Sequence, residues 1–182
     1  MEQALHVLFV CTGNICRSPT AERLAAAYGA RLRIPNLRTS SAGTRAVIAH
    51  PIHHDAALIL ERLGGESSNF MARQLTPKIA SGSDLVLTMT KAHRDTVLGV
   101  APRLLHRTFT LTEAARLVSE FNARDIGDLV ALRPQLVAGE SPDIADPIGQ
   151  SADVFAAVGS QISDQIQPIL ELCRRVSVRG AD

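Results

Sequence analysis

Short apolar segments alternate along the chain with segments in which apolar residues recur every three or four positions. The short segments lack strict polar alternation, which is typical of strands covered by helices on both faces. This alternation predicts an α/β fold with parallel strands joined by crossover helices. The predicted strands span residues 7–10, 38–41, 85–89 and about 104–108, enough for a four-stranded sheet.

Three helices are predicted from periodicity and end signals. The first begins at Ser18, whose hydroxyl can cap it, with Pro19 at the first helical position. The second spans residues 55–63, and the third is a long C-terminal helix that continues through Pro168. The apolar stripe of this last helix consists of Phe155, Val158, Ile162, Ile166, Ile169 and Cys173.

The segment between residues 110 and 142 has a less regular pattern. Thr110 and Glu113 match a capping box, which is followed by an amphipathic stretch and a short helix near 126–132. We interpret residues 110–142 as an inserted helical flap. No repeat, low-complexity tract or linker occurs elsewhere, so the sequence predicts a single domain over residues 1–182.

Composition narrows the classes of partner. The formal net charge is +1 and no long basic run occurs, so we expect neither nucleic acid nor a membrane surface as a partner. The chain has three cysteines, Cys11, Cys16 and Cys173. This number is small and odd, which argues against a disulfide scaffold. They fit a reducing compartment, and we therefore expect a cytoplasmic protein.

The loop after the first predicted strand carries the strongest chemical signal. Cys11 and Arg17 stand in a CxxxxxR spacing that closes just before the first predicted helix. A loop that curls around a helix N-terminus directs its backbone N–H groups inward, and together with the helix dipole they bind a tetrahedral dianion such as phosphate. The predicted phosphate-binding residues are Thr12, Gly13, Asn14, Ile15, Cys16, Arg17 and Ser18.

Each residue type in this loop has a physical reason. Gly13 permits close backbone approach to the anion, and Asn14 tolerates the left-handed conformation that the curl needs. Arg17 can hold two phosphate oxygens with its planar guanidinium. The positive environment favours a thiolate at Cys11, to which the Ser18 hydroxyl can donate. A buried cysteine with an unrelated surface arginine is the weaker interpretation, because the spacing lies between a buried strand and a helix start.

This loop resembles the CxGNICRSP motif of the low molecular weight protein tyrosine phosphatases, matched here from Cys11 to Pro19. Three further segments resemble family elements in the family's order, so the resemblance covers most of the chain. The chain is similar to the bacterial type of this family, with an inserted helical segment. The three segments are Ser41-Ala42-Gly43-Thr44, Ala72-Arg73-Gln74-Leu75 and Asp146-Pro147.

The resemblance implies a three-layer sandwich, with a four-stranded parallel sheet, helices on both faces and the phosphate loop after the first strand. It also implies hydrolysis of phosphotyrosine in proteins without a metal or other cofactor. Cys11 would attack phosphorus to form a cysteinyl-phosphate, Asp146 would act as general acid and then general base, and Arg17 would clamp the phosphate. By the same analogy the loop would be supported by Asn14, Ser18 and Ser41.

Asp146 has a second interpretation from the residues alone. An Asp before Pro often initiates a turn, and Asp143 is the alternative general acid. For the phosphatase we expect a phosphotyrosine-containing protein as partner, and a monomer or weak homodimer.

Departures from the family pattern bear on the substrate. Val47, Ile48 and Ile148 stand where many members have aromatic walls, and a pocket without those rings stacks a phosphotyrosine less well. Phe70 replaces a His that joins the loop network in many relatives. Ile15 favours phosphotyrosine, because the branch that acts on phosphoarginine typically has Thr there.

Other clusters carry weaker signals. His50, His53 and His54 lack a companion Cys or carboxylate at ligand spacing, so we predict no metal site. Cys16 can form a reversible disulfide with Cys11, although core packing explains it nearly as well.

Two alternative functions remain open at this point. A thiol-dependent arsenate reductase would use the same oxyanion loop but needs two further cysteines, and beyond the loop the chain has Cys173 alone. A non-catalytic phosphate-binding regulatory module would keep the loop without its chemistry. The presence of Cys11, Arg17, Ser18 and Asp146 counts against that second alternative.

Overall fold

Four parallel strands form the centre of the molecule. The computed structural model describes residues 4–179, so the first three and last three residues of the predicted domain lie outside it. The strands are β1 (His6–Cys11), β2 (Arg38–Gly43), β3 (Leu85–Thr88) and β4 (Thr108–Thr110). They lie in the order β2-β1-β3-β4 with every neighbouring pair parallel, which confirms the predicted four-stranded sheet.

Helices connect the strands and cover both faces of the sheet. Among residues 4–179, no helix is long and apolar enough to cross a membrane. Short 3₁₀ helices at Pro102–Arg107 and Arg133–Gln135 complete the chain. The α-helices are α1 (Arg17–Arg31), α2 (His54–Arg62), α3 (Pro77–Ser81), α4 (Lys91–Val100), α5 (Leu111–Ser119), α6 (Ile126–Leu132) and α7 (Ala152–Arg179).

Alternate residues of β1 divide the core into two layers. Val7 and Phe9 belong to the larger cluster, which α1, α2, α5, α6 and α7 cover. Leu8 and Val10 belong to a smaller cluster on the opposite face, which α3 and α4 cover. All four side chains are at most 1% exposed, as the continuous apolar pattern of this strand predicted. The three-layer α/β sandwich is therefore confirmed.

The last strand was predicted in the wrong place. Residues 104–107 were expected to be extended, but Pro102–Arg107 forms a 3₁₀ helix and β4 starts at Thr108. Pro102 has the backbone angle that a helical turn needs at its start. The Thr108 hydroxyl then donates to the Leu104 carbonyl at 2.8 Å, and Leu104 is buried beneath α4.

The first helix also differs from its prediction, because it begins at Arg17 and Ser18 does not cap it. The Ser18 hydroxyl lies instead 2.9 Å from both the Cys11 sulfur and the Asn14 amide nitrogen. The N-terminal amides of α1 are thereby left without a side-chain cap, at the end of the helix that faces the loop.

The segment that follows β4 packs into the main core. The capping box is confirmed: the Glu113 amide donates to the Thr110 hydroxyl at 3.1 Å, and the Thr110 amide donates to the Glu113 carboxylate at 3.0 Å. Leu117 of α5 and Leu129 of α6 are fully buried in the same cluster as α7. The assignment of residues 110–142 as an insertion in a single domain stays a prediction.

Replacing Thr110 with Ala tests how much this cap contributes. The change removes the acceptor for the Glu113 amide, so the free energy of unfolding should fall by about 1–2 kcal/mol in a urea titration. Thr96→Ala on the exposed side of α4 is the matched control and should change it by less than about 0.5 kcal/mol. Equal effects of the two changes would contradict the role of the cap.

Candidate active site

The loop between β1 and α1 lies at the carboxyl end of a central strand. Its carbonyl groups accept hydrogen bonds of 2.7–3.1 Å from outside the loop. Within the described chain no amide of residues 13–16 donates a hydrogen bond, so these N–H groups are available to an anion. The outward carbonyl bonds come from Thr44 to Cys11, Arg45 to Thr12, Val47 to Gly13, His53 to Ile15 and Thr20 to Cys16.

Asn14 holds the curl in shape. Its φ of 55° is the left-handed conformation expected from the sequence, and the residue is fully buried. Its side-chain nitrogen donates to the hydroxyls of Ser18 and Ser41, both at 2.9 Å. Its side-chain oxygen accepts from the backbone amide of Arg73 at 2.9 Å. The loop is therefore tied at one residue to α1, to β2 and to the segment before α3.

A chain of hydrogen bonds leads from Glu22 to the Cys11 sulfur. The Ser41 hydroxyl donates to the Glu22 carboxylate at 2.5 Å and therefore accepts from Asn14. Ser18 also accepts from Asn14 and lies 2.9 Å from the Cys11 sulfur, so it can donate its own hydrogen to a thiolate there. Burial raises the pKa of Glu22, and the bond from Ser41 opposes that rise.

Arg17 and Asp146 come together beside this loop. The Arg17 side chain is 5% exposed, and its Nη2 lies 3.4 Å from Oδ2 of Asp146, whose side chain is 51% exposed. Arg17 also donates to the Ile144 carbonyl at 2.9 Å. The other oxygen of Asp146 accepts from the Ile148 amide at 3.2 Å, the short-range bond of a turn. Asp146 therefore initiates a turn and also stands at the mouth of the loop.

Asp143, the alternative acid, has a different task. Its Oδ1 accepts a hydrogen bond of 2.9 Å from the Lys91 amide, at the start of α4. The Ile144 amide donates to the Met89 carbonyl at 2.9 Å. These two bonds fasten residues 143–146, which we call the acid loop, to the corner between β3 and α4. Asp143 thus positions the acid loop, while Asp146 is the carboxylate that faces Arg17.

Sequence reasoning missed His93, which lies on the other side of the phosphate loop. Its Nε2 is 2.8 Å from the Thr12 hydroxyl, and the residue is 6% exposed. Burial, and next the nearby charge of Arg17, lower the pKa of His93 to about 4, and the charges of Asp143 and Asp146 oppose this shift. In the structure Thr90 caps α4, and no local sequence pattern pairs a histidine of that helix with Thr12.

The remaining cysteines and histidines have surroundings typical of structural residues. Burial raises the pKa of the Cys16 and Cys173 thiols to about 12, and all three cysteines are unpaired. The His53 ring accepts from the Asp55 amide at the start of α2 and stacks on Phe155. Within residues 4–179, no group of three potential ligands from His, Cys, Asp and Glu is placed to hold a metal ion.

The predicted wall positions carry exposed or partly exposed aliphatic side chains. Ile48 and Ile148 are 65% and 40% exposed, and Val47 lies beside Gly13 with its amide donating to the Gly13 carbonyl. The Phe70 ring packs against the Arg23 guanidinium, whose Cζ lies 5.5 Å from the centre of the ring.

Comparison with known proteins identifies the family of this chain. The sequence model of the low molecular weight phosphotyrosine protein phosphatases matches residues 6–178. The chain belongs to this family. It is 37% identical to the Escherichia coli low molecular weight protein-tyrosine-phosphatase Etp over 102 residues, a match that spans 56% of this chain and 66% of Etp.

Two other relatives match over most of their length. The probable tyrosine phosphatase AmsI of Erwinia amylovora is 30% identical over 161 residues, 88% of this chain and 92% of AmsI. A protein-arginine-phosphatase of Geobacillus stearothermophilus is 30% identical over 165 residues, 91% of this chain and 93% of that protein. The solved structure of AmsI superposes with a TM-score of 0.70 over 91% of each chain. The Geobacillus structure superposes with a TM-score of 0.72 over 92% of this chain and 91% of its own. The family therefore includes enzymes named for two phosphorylated residues.

In this phosphatase-family chain, Gly43 is expected to be essential for the shape of the loop. A Cβ at this position would lie 2.4 Å from the Thr12 carbonyl oxygen and 3.0 Å from Asn14. Gly43→Ala should therefore displace the loop and weaken inorganic phosphate binding at least about 10-fold in calorimetry. Gly99→Ala is the control and should bind phosphate like the wild type, because the added Cβ would meet nothing within 4 Å apart from its chain neighbours and the local helix backbone. Unchanged binding in Gly43→Ala would contradict this description of the loop.

The buried His93 predicts a specific dependence of stability on pH. Its pKa is lower in the folded chain, about 4, than the ordinary value of 6.5, so the unfolded chain binds more protons between these values. The stabilisation from the neutral ring is complete above pH 6.5 and is lost as the pH falls towards 4. Urea titrations of His93→Gln should show a smaller loss over this window than the wild type. His106→Gln, at an exposed position, should retain the wild-type slope.

Proposed function

We propose that this chain is a metal-independent protein tyrosine phosphatase, with Cys11 as nucleophile, Arg17 as phosphate clamp and Asp146 as general acid and base. The observation that carries the proposal is the convergence of these three residues. Ser18 lies 2.9 Å from the Cys11 sulfur, and Arg17 joins the loop end to Asp146 at 3.4 Å. Family membership supports the same reading, because the family's mechanism uses a phosphorylated cysteine.

The first step transfers the phosphoryl group to the enzyme. The Cys11 thiolate attacks phosphorus, an S–P bond forms and the P–O bond to the leaving group breaks. Asp146, which is half exposed at the mouth of the site, gives its proton to the leaving oxygen. The unpaired amides of residues 13–16 and the Arg17 guanidinium stabilise the charge on the equatorial oxygens.

The second step regenerates the enzyme. Asp146, now a carboxylate, takes a proton from a water molecule whose oxygen attacks phosphorus. The S–P bond breaks, inorganic phosphate leaves, and the Cys11 thiolate is again stabilised by the Ser18 hydroxyl. Asn14, Ser18 and Ser41 keep the loop in one shape through both steps, because all three belong to the same buried hydrogen-bond network.

The proposed substrate is phosphotyrosine in proteins. The half-buried Ile15 supports this choice, because the branch of the family that acts on phosphoarginine typically has Thr at that position. The aliphatic side chains of Val47, Ile48 and Ile148 would contact the phenyl ring by dispersion. We further propose a cytoplasmic monomer or weak homodimer with no nucleic-acid partner, supported by the net charge of +1 and the sparse, unpaired cysteines.

Hydrolysis assays with EDTA present test the mechanism. The wild type should hydrolyse p-nitrophenyl phosphate and a phosphotyrosyl peptide, and Cys11→Ser should abolish both reactions. Asp146→Asn should lower kcat for the peptide about 10²–10⁴-fold, because the leaving group loses its proton donor. Asp95→Asn, a carboxylate that is 74% exposed, is the matched control and should retain full activity.

The same assay separates the competing substrates and functions. A phosphoarginyl peptide hydrolysed faster than the phosphotyrosyl peptide would overturn the substrate assignment while keeping the mechanism. Phosphate binding without turnover of any ester would overturn the enzyme assignment in favour of a binding module. Turnover that survives in Cys11→Ser would overturn the assignment of Cys11 as the nucleophile.

A further inference from the structure

One corner of the fold contacts both loops of the proposed site. This corner, between β3 and α4, holds the acid loop through Met89 and Lys91, with two bonds of 2.9 Å. Two residues after Lys91, His93 reaches the phosphate loop at Thr12, the residue that follows the nucleophile. The network of Asn14 ties the same loop on its opposite side to β2 and Arg73. The phosphate loop is thus anchored on two independent sides.

The hydrogen bond between Thr12 and His93 has a definite direction. His93 sits in the first turn of α4, where its backbone amide donates to the Thr90 hydroxyl at 3.1 Å. Within the described residues its Nδ1 is buried and has no hydrogen-bond partner. A lone pair at Nδ1 suits the positive end of a helix, whereas a buried N–H there would lack an acceptor. The ring proton therefore belongs on Nε2, which donates to the Thr12 oxygen.

The neutral ring suits this role. Burial and the charge of Arg17 both lower the pKa of His93, while Asp143 and Asp146 of the acid loop oppose them. At neutral pH the ring therefore carries one proton, and that proton serves one acceptor. The Thr12 hydroxyl keeps its own hydrogen for a different partner.

We propose that His93 is a positioning residue that donates from Nε2 to Thr12 and so sets the nucleophile loop in register with the acid loop. The contact is a direct one, between two side chains 81 positions apart in the chain. The inference rests on the proposed function for its kinetic consequence, because register between Cys11 and Asp146 governs the chemical step and not the capture of phosphate.

Kinetics of a double-mutant cycle test the proposal with p-nitrophenyl phosphate as substrate. His93→Phe should lower kcat about 10-fold while KM changes less than about 2-fold, because the loop stays formed but loses its register. His93→Gln should recover most of kcat, since its amide can donate to Thr12. Thr12→Val should lower kcat similarly, and the double variant should be no slower than the slower single one. His106→Gln is the control and should match the wild type.

Three kinetic outcomes would overturn the proposal. They are an unchanged kcat in folded His93→Phe, a double variant whose losses multiply, and a His93→Gln enzyme as slow as His93→Phe. Far-ultraviolet circular dichroism and urea titration establish that each variant is folded before its rates are compared.

Nuclear magnetic resonance of the wild type gives a test that needs no variant to fold. Long-range ¹H–¹⁵N spectra should show the His93 proton on Nε2, and a proton on Nδ1 would overturn the proposal. Addition of inorganic phosphate should shift these ring signals, because the phosphate loop contacts both the anion and the His93 ring. Absence of any shift would also overturn the proposal. If the wild type lacks turnover, the proposed function fails, while these spectra still decide the contact between His93 and Thr12.

Discussion

The buried side chain of Asn14 is the constraint on which the site depends. A primary amide without partners would be costly in a fully buried position, so its bonds to Ser18, Ser41 and Arg73 have to form together. Those three partners lie on α1, on β2 and on the segment before α3. Once they are in place, the backbone at Asn14 is held in its left-handed conformation and the loop carbonyls point away from the anion site.

Directionality follows from the same amide. The nitrogen of Asn14 can only donate, which makes acceptors of the hydroxyls of Ser18 and Ser41. Ser41 then gives its hydrogen to Glu22, and the hydrogen of Ser18 remains available to a thiolate at Cys11. A single side chain therefore specifies both the shape of the anion cradle and the orientation of the donor at the nucleophile. In the proposed mechanism, the positive charge of Arg17 and the free amides act at a sulfur that this network has already oriented.

The proposed acid, Asp146, lies on a separate part of the fold. The acid loop is fastened to the start of α4 by Asp143 and Ile144, and Arg17 reaches across to it from the phosphate loop. This division explains why two similar carboxylates have different tasks. Asp143 accepts from a helix-terminal amide and is committed to structure, whereas Asp146 is half exposed and faces the site. For the proposed phosphotyrosine substrate, the aliphatic side chains at the predicted wall positions would contribute dispersion and shape in place of ring stacking.

The sequence by itself determined the elements whose physics is local. The loop motif, the left-handed Asn14, the capping box at Thr110 and the apolar stripe of α7 were readable, because each depends on residues a few positions apart. The Ser18 cap and the position of β4 were predicted wrongly from equally local signals. At Ser18, contacts with Asn14 and the Cys11 sulfur, four and seven positions earlier in the chain, take the place of the helix cap.

Only the tertiary structure decided which distant residues meet at the site. The pairing of Thr12 with His93, the fastening of Asp143 to α4 and the bond from Arg73 to Asn14 join positions that are 52 to 81 residues apart. No periodicity links such positions, because a parallel sheet brings its strand ends together through crossovers whose packing involves the whole core. The residues of the loop motif are therefore close together in the sequence, while the alignment of the loop with the proposed acid depends on the complete fold.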